Sequence, residues 1–193
     1  DIKSPDHLQE IAAEIGMVLR STGRVKRGLG TIRQDVNISI AEGTRVEIKG
    51  VQDLDTMPQL SDNEVSRQHG LAQIAKEHDS FTITHPHDVT DAFTDASEWI
   101  QKSLKNGSKA VAGVISGVTG VLGTELFSGF RVGTEVSGYA KAWGFGGLIH
   151  TDEDASKYGL DSWDAVRKLA GASEQDTVCV LIGDADRAEY AIK

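Results

Sequence analysis

Two short segments that alternate between polar and apolar residues constrain the fold of this chain most. The first runs from Thr31 to Ser39 and the second from Thr44 to Val51. A period of two is typical of a strand with one buried and one exposed face. Ala41-Glu42-Gly43 lies between them as a short loop that contains glycine. The sequence therefore predicts a β-hairpin that is buried on one side.

The polar face of this hairpin combines cations, carboxylates and an amide, and cross-strand neighbours lie within about 5 Å of each other. Activation of a carboxylate by ATP needs cations for the phosphoryl oxygens, and acidic or amide oxygens for Mg²⁺ or its waters. An exposed sheet face can carry the same residues for solubility alone. The residues by themselves leave both interpretations open. The members of the face are Arg33, Asp35, Asn37, Arg45, Glu47 and Lys49.

The segment before the hairpin is basic and contains glycine. Gly28 and Gly30 would let the backbone approach a ligand closely, but the Gly-Lys-Ser/Thr ending of a phosphate-binding loop is missing. A predicted helix begins after Ser4 and ends near Thr22, and cations lie at and beyond its C-terminal end: Arg20, Arg24, Lys26 and Arg27, with Arg33 a little further on. They would either complement the helix C-terminus or contact phosphate. The sequence slightly favours the first interpretation.

The remaining pattern indicates an α+β protein with two units. Ser61 and Glu64 form a predicted capping box, with Leu60 and Val65 as a hydrophobic staple, for a helix that ends near Glu77. A domain boundary is expected around 78–88, and a helix over about 90–105. Further helices and strands, including a strand at 178–182, complete the second unit.

Composition excludes several classes of protein. No run approaches the roughly 18 apolar residues of a membrane span, so we expect a cytoplasmic protein without a membrane partner. The net charge of −9 argues against a broad nucleic-acid footprint. Cys179 lies in an apolar strand pattern, where a thiol usually packs in a core. His85, His87, Asp88 and Asp91 could ligate a metal, but a proline turn before a helix explains them better.

The residues from Arg27 to Ile40, followed by Gly43 to Val51, resemble the E subunit of the archaeal glutamyl-tRNA(Gln) amidotransferase and the related bacterial B subunit. Glu64-Val65-Ser66-Arg67-Gln68 continues the similarity. Two later motifs, Phe130 to Glu135 and Gly146 to Glu153, resemble the insertion domain that the E subunit shares with bacterial-type aspartyl-tRNA synthetases. The resemblance implies part of a mixed or antiparallel catalytic cradle over 1–80, a connecting helix over 81–106 and the inserted α+β domain over 107–193.

This family is implied to use ATP and Mg²⁺ to activate the γ-carboxylate of Glu-tRNA(Gln), which ammonia then converts to Gln-tRNA(Gln). The implied partners are an asparaginase-like amidase, which is the D subunit of the same enzyme, and Glu-tRNA(Gln), with a homodimer of the full E subunit. By resemblance, the catalytic residues are Arg33, Asp35, Asn37, Glu47 and Lys49. ATP or substrate is expected to bind at Arg27, Gly28, Gly30 and Arg45.

The start of the chain at Asp1-Ile2, without methionine, is expected for a trimmed fragment. The resemblance places the metal ligands upstream of this chain, so none is assigned here, and the fragment alone is expected to be inactive. The alternative is a catalytically inert module that binds tRNA or another subunit and was excised from the same enzyme.

Overall fold

A two-stranded hairpin and two helices form the first of two compact units. The computed structural model describes residues 2–28, 30–78 and 80–192, and the units divide between residues 76 and 77. In chain order, the first unit contains helix α1 (Pro5–Ser21), strands β1 (Gln34–Ile38) and β2 (Val46–Val51), and helix α2 (Met57–Glu77).

The hairpin predicted from alternation is confirmed. β1 and β2 pair antiparallel, with Asn37 opposite Glu47. Every second side chain of the hairpin is apolar and points to the same side. This apolar face packs against the apolar faces of both helices. The core of this unit contains Leu8, Ala12, Val36, Ile38, Val51 and Met57.

The two helices begin differently from each other. Ser4 caps α1 as predicted, since its hydroxyl accepts the His7 N–H and Pro5 follows as the first helical residue. The capping box predicted at Ser61 and Glu64 is wrong, because α2 already begins at Met57. Met57 is fully buried in the core, and this burial starts the helix one turn earlier than the sequence signal.

The second unit is an antiparallel sheet with helices on both faces. Its elements are strands β3 (Thr82–Ile83) and β4 (His87–Asp88), helix α3 (Glu98–Lys105), strands β5 (Lys109–Ser116), β6 (Glu125–Phe127) and β7 (Phe130–Arg131), helix α4 (Val132–Ala142), strand β8 (Ile149–His150), helix α5 (Asp164–Ala170), strand β9 (Thr177–Gly183) and helix α6 (Ala185–Ile192). The main sheet has the order β3-β5-β9-β8, and β4 also pairs with β5.

Alternate residues of β5 and β9 serve two cores. One face packs Ala112 and Val180 against Ile100 of α3 and Val166 of α5. The opposite face packs Val111 and Leu181 against α4 and α6. The predicted α+β class is confirmed in both units.

The helix predicted over about 90–105 is right only in its second half. Residues Thr90–Phe93 form a 3-10 turn, and α3 begins at Glu98. Phe93 and Val89 are fully buried in the same core as Ile100, which requires the chain to turn before the helix. The segment 81–106 therefore contributes β3, β4, this turn and α3 to the second unit.

We predict that Gly43→Ala destabilises the first unit by about 1–3 kcal/mol, the usual range for overpacking a filled site. A Cβ at Gly43 would overlap the buried Oε1 of Gln68 and lie 2.9 Å from Ile40 Cγ1. Urea denaturation followed by circular dichroism measures the change. Gly16→Ala is the matched control, because its Cβ meets nothing within 4 Å and alanine favours a helix interior by about 0.5–1 kcal/mol. An unchanged midpoint for Gly43→Ala would contradict the packing described.

Candidate functional site

The exposed face of the hairpin brings together four of the predicted site residues. Asp35 and Asn37 of β1, and Glu47 and Lys49 of β2, all lie on the side away from the core and are exposed. Within the first unit, α1 and α2 pack on the other side of the hairpin. Carboxylate, amide and ammonium groups therefore project from one small surface, which we call the polar face.

A β-bulge shapes one end of the polar face. The pairing register shifts between Gln34 and Val36, where Gln34 lies opposite Val51 and Val36 opposite Ile48. Gly50 takes a φ of 71° in this bulge, a conformation that glycine adopts without steric cost. Asp35 Oδ1 accepts the Gly50 N–H at 2.7 Å. Asp35 therefore holds the bulge in place, and its second carboxylate oxygen has no hydrogen-bond partner among the described residues.

Lys49 and Glu47 form an ion pair on the polar face. Lys49 Nζ lies 3.2 Å from Glu47 Oε2, and the two side chains are 73% and 44% exposed. Exposed pairs of this kind contribute only about 0–1 kcal/mol to stability. Both groups can therefore reorient towards a charged ligand at little energetic cost.

The hairpin does not bring Arg33 and Arg45 together. Each precedes one strand, and the strands are antiparallel, so the two residues lie at opposite ends of the hairpin. Continuing the register, position 39 would lie opposite Arg45. Arg33 is six residues before position 39, and six residues of extended chain span roughly 20 Å. The polar face is thus an elongated surface with a cation at each end.

The remaining predicted residues line a cavity on the other side of the hairpin. Arg27, Gly28 and Gly30 border a volume of about 560 Å³ together with residues of α1 and with Gln34 and Gln52. Gln34 points towards α1, where its Nε2 donates to the carbonyl of Ala12 at 2.9 Å. Leu29 lies outside the described residues. The site residues predicted from sequence thus fall into two groups on opposite faces of one sheet.

A buried polar network beneath the hairpin was not identified as a unit from the sequence. Glu64 Oε2 accepts from Arg67 Nε at 2.8 Å, and Glu64 Oε1 accepts from Gln68 Nε2 at 2.8 Å. The same Gln68 nitrogen also lies 3.4 Å from the carbonyl of Ile38. This network connects α2 to the end of β1. The available signal was the spacing of Glu64, Arg67 and Gln68 at i, i+3 and i+4, which places them on one helix face.

The ionisation of Glu64 is controlled by this network. Burial raises the pKa of Glu64, but hydrogen bonds from Arg67 and Gln68, with the Arg67 charge, outweigh burial and leave the pKa below its ordinary value of 4.5. A carboxyl whose folded pKa is lowered stabilises the protein above its unfolded pKa. That contribution is lost as the pH falls through the folded pKa.

The described residues, 2–28, 30–78 and 80–192, contain no group of three His, Cys, Asp or Glu side chains that could hold a metal ion. Asp88 instead accepts the Thr90 N–H at 2.9 Å and pairs with Lys109 at 3.3 Å. The predicted helix N-cap at Asp88 or Thr90 is wrong, because His87 and Asp88 form β4 and the following 3-10 turn, Thr90–Phe93, has Val89 at its N-cap without a side-chain cap.

Cys179 lies on β9. Burial, together with the nearby Asp152 carboxylate, raises the pKa of its thiol to about 12. A thiol with this pKa is a poor nucleophile at neutral pH, in agreement with the structural role expected from sequence.

Among the described helices, none is both long and apolar enough to cross a bilayer.

Comparison with known proteins gives matches over the whole chain. A family model described as the GatB/GatE catalytic domain matches residues 1–112. The E subunit of the glutamyl-tRNA(Gln) amidotransferase of Haloarcula marismortui is 47% identical over 197 residues, which cover 100% of this chain and 32% of the relative. The E subunits of Methanosarcina barkeri and Archaeoglobus fulgidus are 46% and 44% identical, again over 100% of this chain and over 31% and 32% of their own lengths. The chain thus spans about a third of the length of these relatives.

We predict that Glu64→Gln lowers the free energy of unfolding by about 1–3 kcal/mol at pH 7, because a buried charge-assisted hydrogen bond is weakened. The difference from the wild type should be complete above pH 4.5 and should shrink as the pH falls below it. Chemical denaturation at several pH values between 3 and 7 measures this. Asp62→Asn, an exposed change on the same helix, is the control and should have little effect. A pH-independent difference would exclude the proposed ionic role of Glu64.

Proposed function

Because the chain belongs to the GatB/GatE catalytic domain family, we propose that it is part of a subunit that activates glutamate attached to tRNA. In this proposal the complete subunit uses ATP to phosphorylate the γ-carboxylate of Glu-tRNA(Gln), and ammonia then displaces phosphate to form Gln-tRNA(Gln). The observation that carries the proposal is the polar face, which lies within the residues that match the family.

The chemistry of the polar face suits this reaction. The Lys49 ammonium group would hold phosphoryl oxygens as charge moves onto them during transfer. The Asn37 amide can donate to the substrate carboxylate or accept from a bound water. Glu47 pairs with Lys49, and release of that pair would free both groups for substrate. Arg33 and Arg45 would bind anionic parts of the ligands at the two ends of the surface.

Mg²⁺ belongs to the proposal for the complete subunit only. The described residues do not form a metal site, and Asp35 already uses one oxygen on Gly50. At most Asp35 and Glu47 could complete a coordination shell that other residues supply, since Mg²⁺ binds through one or two carboxylates and substrate phosphates. We therefore assign no catalytic step to a metal held by this chain.

The partners also remain proposals. We propose that the complete subunit works with an asparaginase-like amidase that supplies ammonia, and that it binds Glu-tRNA(Gln) as a homodimer. Support comes from the 44–47% identity to relatives named as E subunits of glutamyl-tRNA(Gln) amidotransferases. A cytoplasmic location follows the same reasoning and stays a prediction.

A second function is favoured for residues 77–193 by two observations. They form a separate compact unit, and the family match ends within it at residue 112. We propose that this unit is a binding module without a catalytic role of its own. Its function would be to contact another part of the assembly.

We predict that Lys49→Met in the full-length subunit, assembled with its partner, lowers kcat for Gln-tRNA formation by about 100-fold or more, the usual effect of removing one charge-stabilising group. The dissociation constant for tRNA should stay within about twofold of the wild type. Lys76→Met, an exposed lysine of α2, is the matched control and should retain full turnover. Normal turnover by Lys49→Met would overturn the assignment of the polar face as the catalytic surface.

We also predict that the 193-residue chain alone does not hydrolyse ATP in response to Glu-tRNA(Gln), because it spans about a third of the length of its relatives and its described residues form no group that could hold a metal ion. The measurement compares phosphate release by this chain and by the full-length subunit, each with Mg-ATP and Glu-tRNA(Gln). Full-length protein should respond to the tRNA and the shorter chain should not. A tRNA-dependent rate in the shorter chain would show that these residues form a complete site.

A further inference from the structure

One segment of the first unit has a charge opposite to that of the whole chain. The 20 residues from Ile15 to Gln34 contain five basic residues and no acidic residue, whereas the chain as a whole carries a net charge of −9. We call this the basic segment. We propose that the basic segment binds the phosphate backbone of the RNA substrate, an inference that rests on the proposed function. Its cations are Arg20, Arg24, Lys26, Arg27 and Arg33.

These cations have no internal partners among the described residues. All five side chains are exposed, and no described carboxylate lies within ion-pair distance of any of them. Some lysines elsewhere in the chain do pair, as Lys49 does with Glu47 and Lys157 with Glu153. A concentration of unpaired cations generates a positive local potential that attracts polyanions.

A role in helix capping explains only one of the five. Arg20 is the only basic residue in the last turn of α1, where a cation complements the helix dipole. Arg24, Lys26 and Arg27 lie beyond Ser21, and Arg33 directly precedes β1. The dipole effect falls off within the last turn, so Arg24, Lys26 and Arg27 need another explanation.

The basic segment also lines a cavity. Arg20 and Arg27 border the volume of about 560 Å³, whose walls include the apolar side chains of Met17, Ile32 and Leu54. This volume lies in the range of sites for small organic groups. Cations at the rim and apolar side chains within suit a nucleotide whose phosphates lie at the rim and whose base or sugar enters the cavity.

Geometry favours RNA over the ATP that is proposed for the polar face. The cavity lies on the α1 side of the hairpin, and the polar face lies on the other side. A triphosphate that reacts at the polar face would not bring its phosphates to Arg20 or Arg24. A triphosphate moreover presents one compact group of phosphates, whereas an RNA strand presents a series of phosphates along its backbone.

The distribution of charge between the two units supports the same choice. Residues 77–193 contain 18 acidic and 10 basic residues, a net charge of −8, whereas residues 1–76 contain 11 and 10, a net charge of −1. The second unit therefore repels polyanions, and the basic segment is the region of this chain suited to RNA phosphates.

The test uses the full-length subunit with its partner and a triple variant, Arg20→Gln, Arg24→Gln and Lys26→Gln. The dissociation constant for Glu-tRNA(Gln) is measured between about 50 and 200 mM KCl, a range over which phosphate contacts lose most of their strength. Each lost phosphate contact reduces the slope of log Kd against log salt by about 0.7–0.9, so we expect a slope shallower by about 2–3. Affinity near 0.1 M salt should fall on the order of tenfold to a hundredfold, and KM for ATP should not change.

The control variant Lys76→Gln, Lys102→Gln and Lys105→Gln removes the same charge from exposed positions outside the basic segment and should keep the wild-type slope. A wild-type slope in the test variant would overturn the inference. A raised KM for ATP with unchanged tRNA binding would also overturn it, because that result would identify the ligand of the basic segment as a nucleotide. If Lys49→Met abolishes turnover while the test variant binds tRNA normally, this inference alone fails. If Lys49→Met turns over normally while the test variant loses tRNA affinity, the proposed catalytic function fails and the RNA surface stands.

Discussion

Burial of one face of the hairpin against α1 and α2 is the constraint on which the rest of the first unit depends. Val36 and Ile38 share a core with Leu8 and Met57, and the period of two then forces Asp35 and Asn37 to the opposite side. A shift of one residue in register would bury the charged side chains and expose the apolar ones. The polar face is therefore fixed by the packing behind it. The network of Glu64, Arg67 and Gln68 adds a polar connection from α2 to the end of β1.

The bulge at Gly50 gives a structural role to Asp35, which is also one of the proposed site residues. Asp35 accepts the Gly50 N–H, so its loss would disturb the strand that carries Lys49 as well as remove a carboxylate. A catalytic defect in an Asp35 variant would thus have two explanations. Lys49 and Asn37 are cleaner probes, because their exposed side chains do not support the backbone of the hairpin.

The sequence predicted the parts of the fold that are encoded by local periodicity. The hairpin, the Ser4 cap and the strand at 178–182 could be predicted because alternation and capping are short-range signals. The start of α2 and the turn at Thr90–Phe93 could not, since both follow from burial of Met57 and Phe93 in cores formed by distant residues. The presence of Asp35, Asn37, Glu47 and Lys49 on one exposed face was predictable for the same reason as the hairpin. The division of the site residues between two faces was not, because the position of Gln34 and the loop at Gly28 depends on where α1 packs.

Two surfaces on opposite sides of one hairpin give the first unit a simple functional geometry. The side towards α1 carries unpaired cations and a cavity, and the other side carries carboxylate, amide and ammonium groups. Because β1 and β2 are paired, a ligand cannot pass between them. A ligand bound on the α1 side must therefore extend around an edge or an end of the hairpin to reach the polar face. Arg33 lies next to β1 at the end bordered by the cavity, beside Gln34 and Val51. That end of the hairpin is consequently the shortest path between the proposed RNA surface and the polar face.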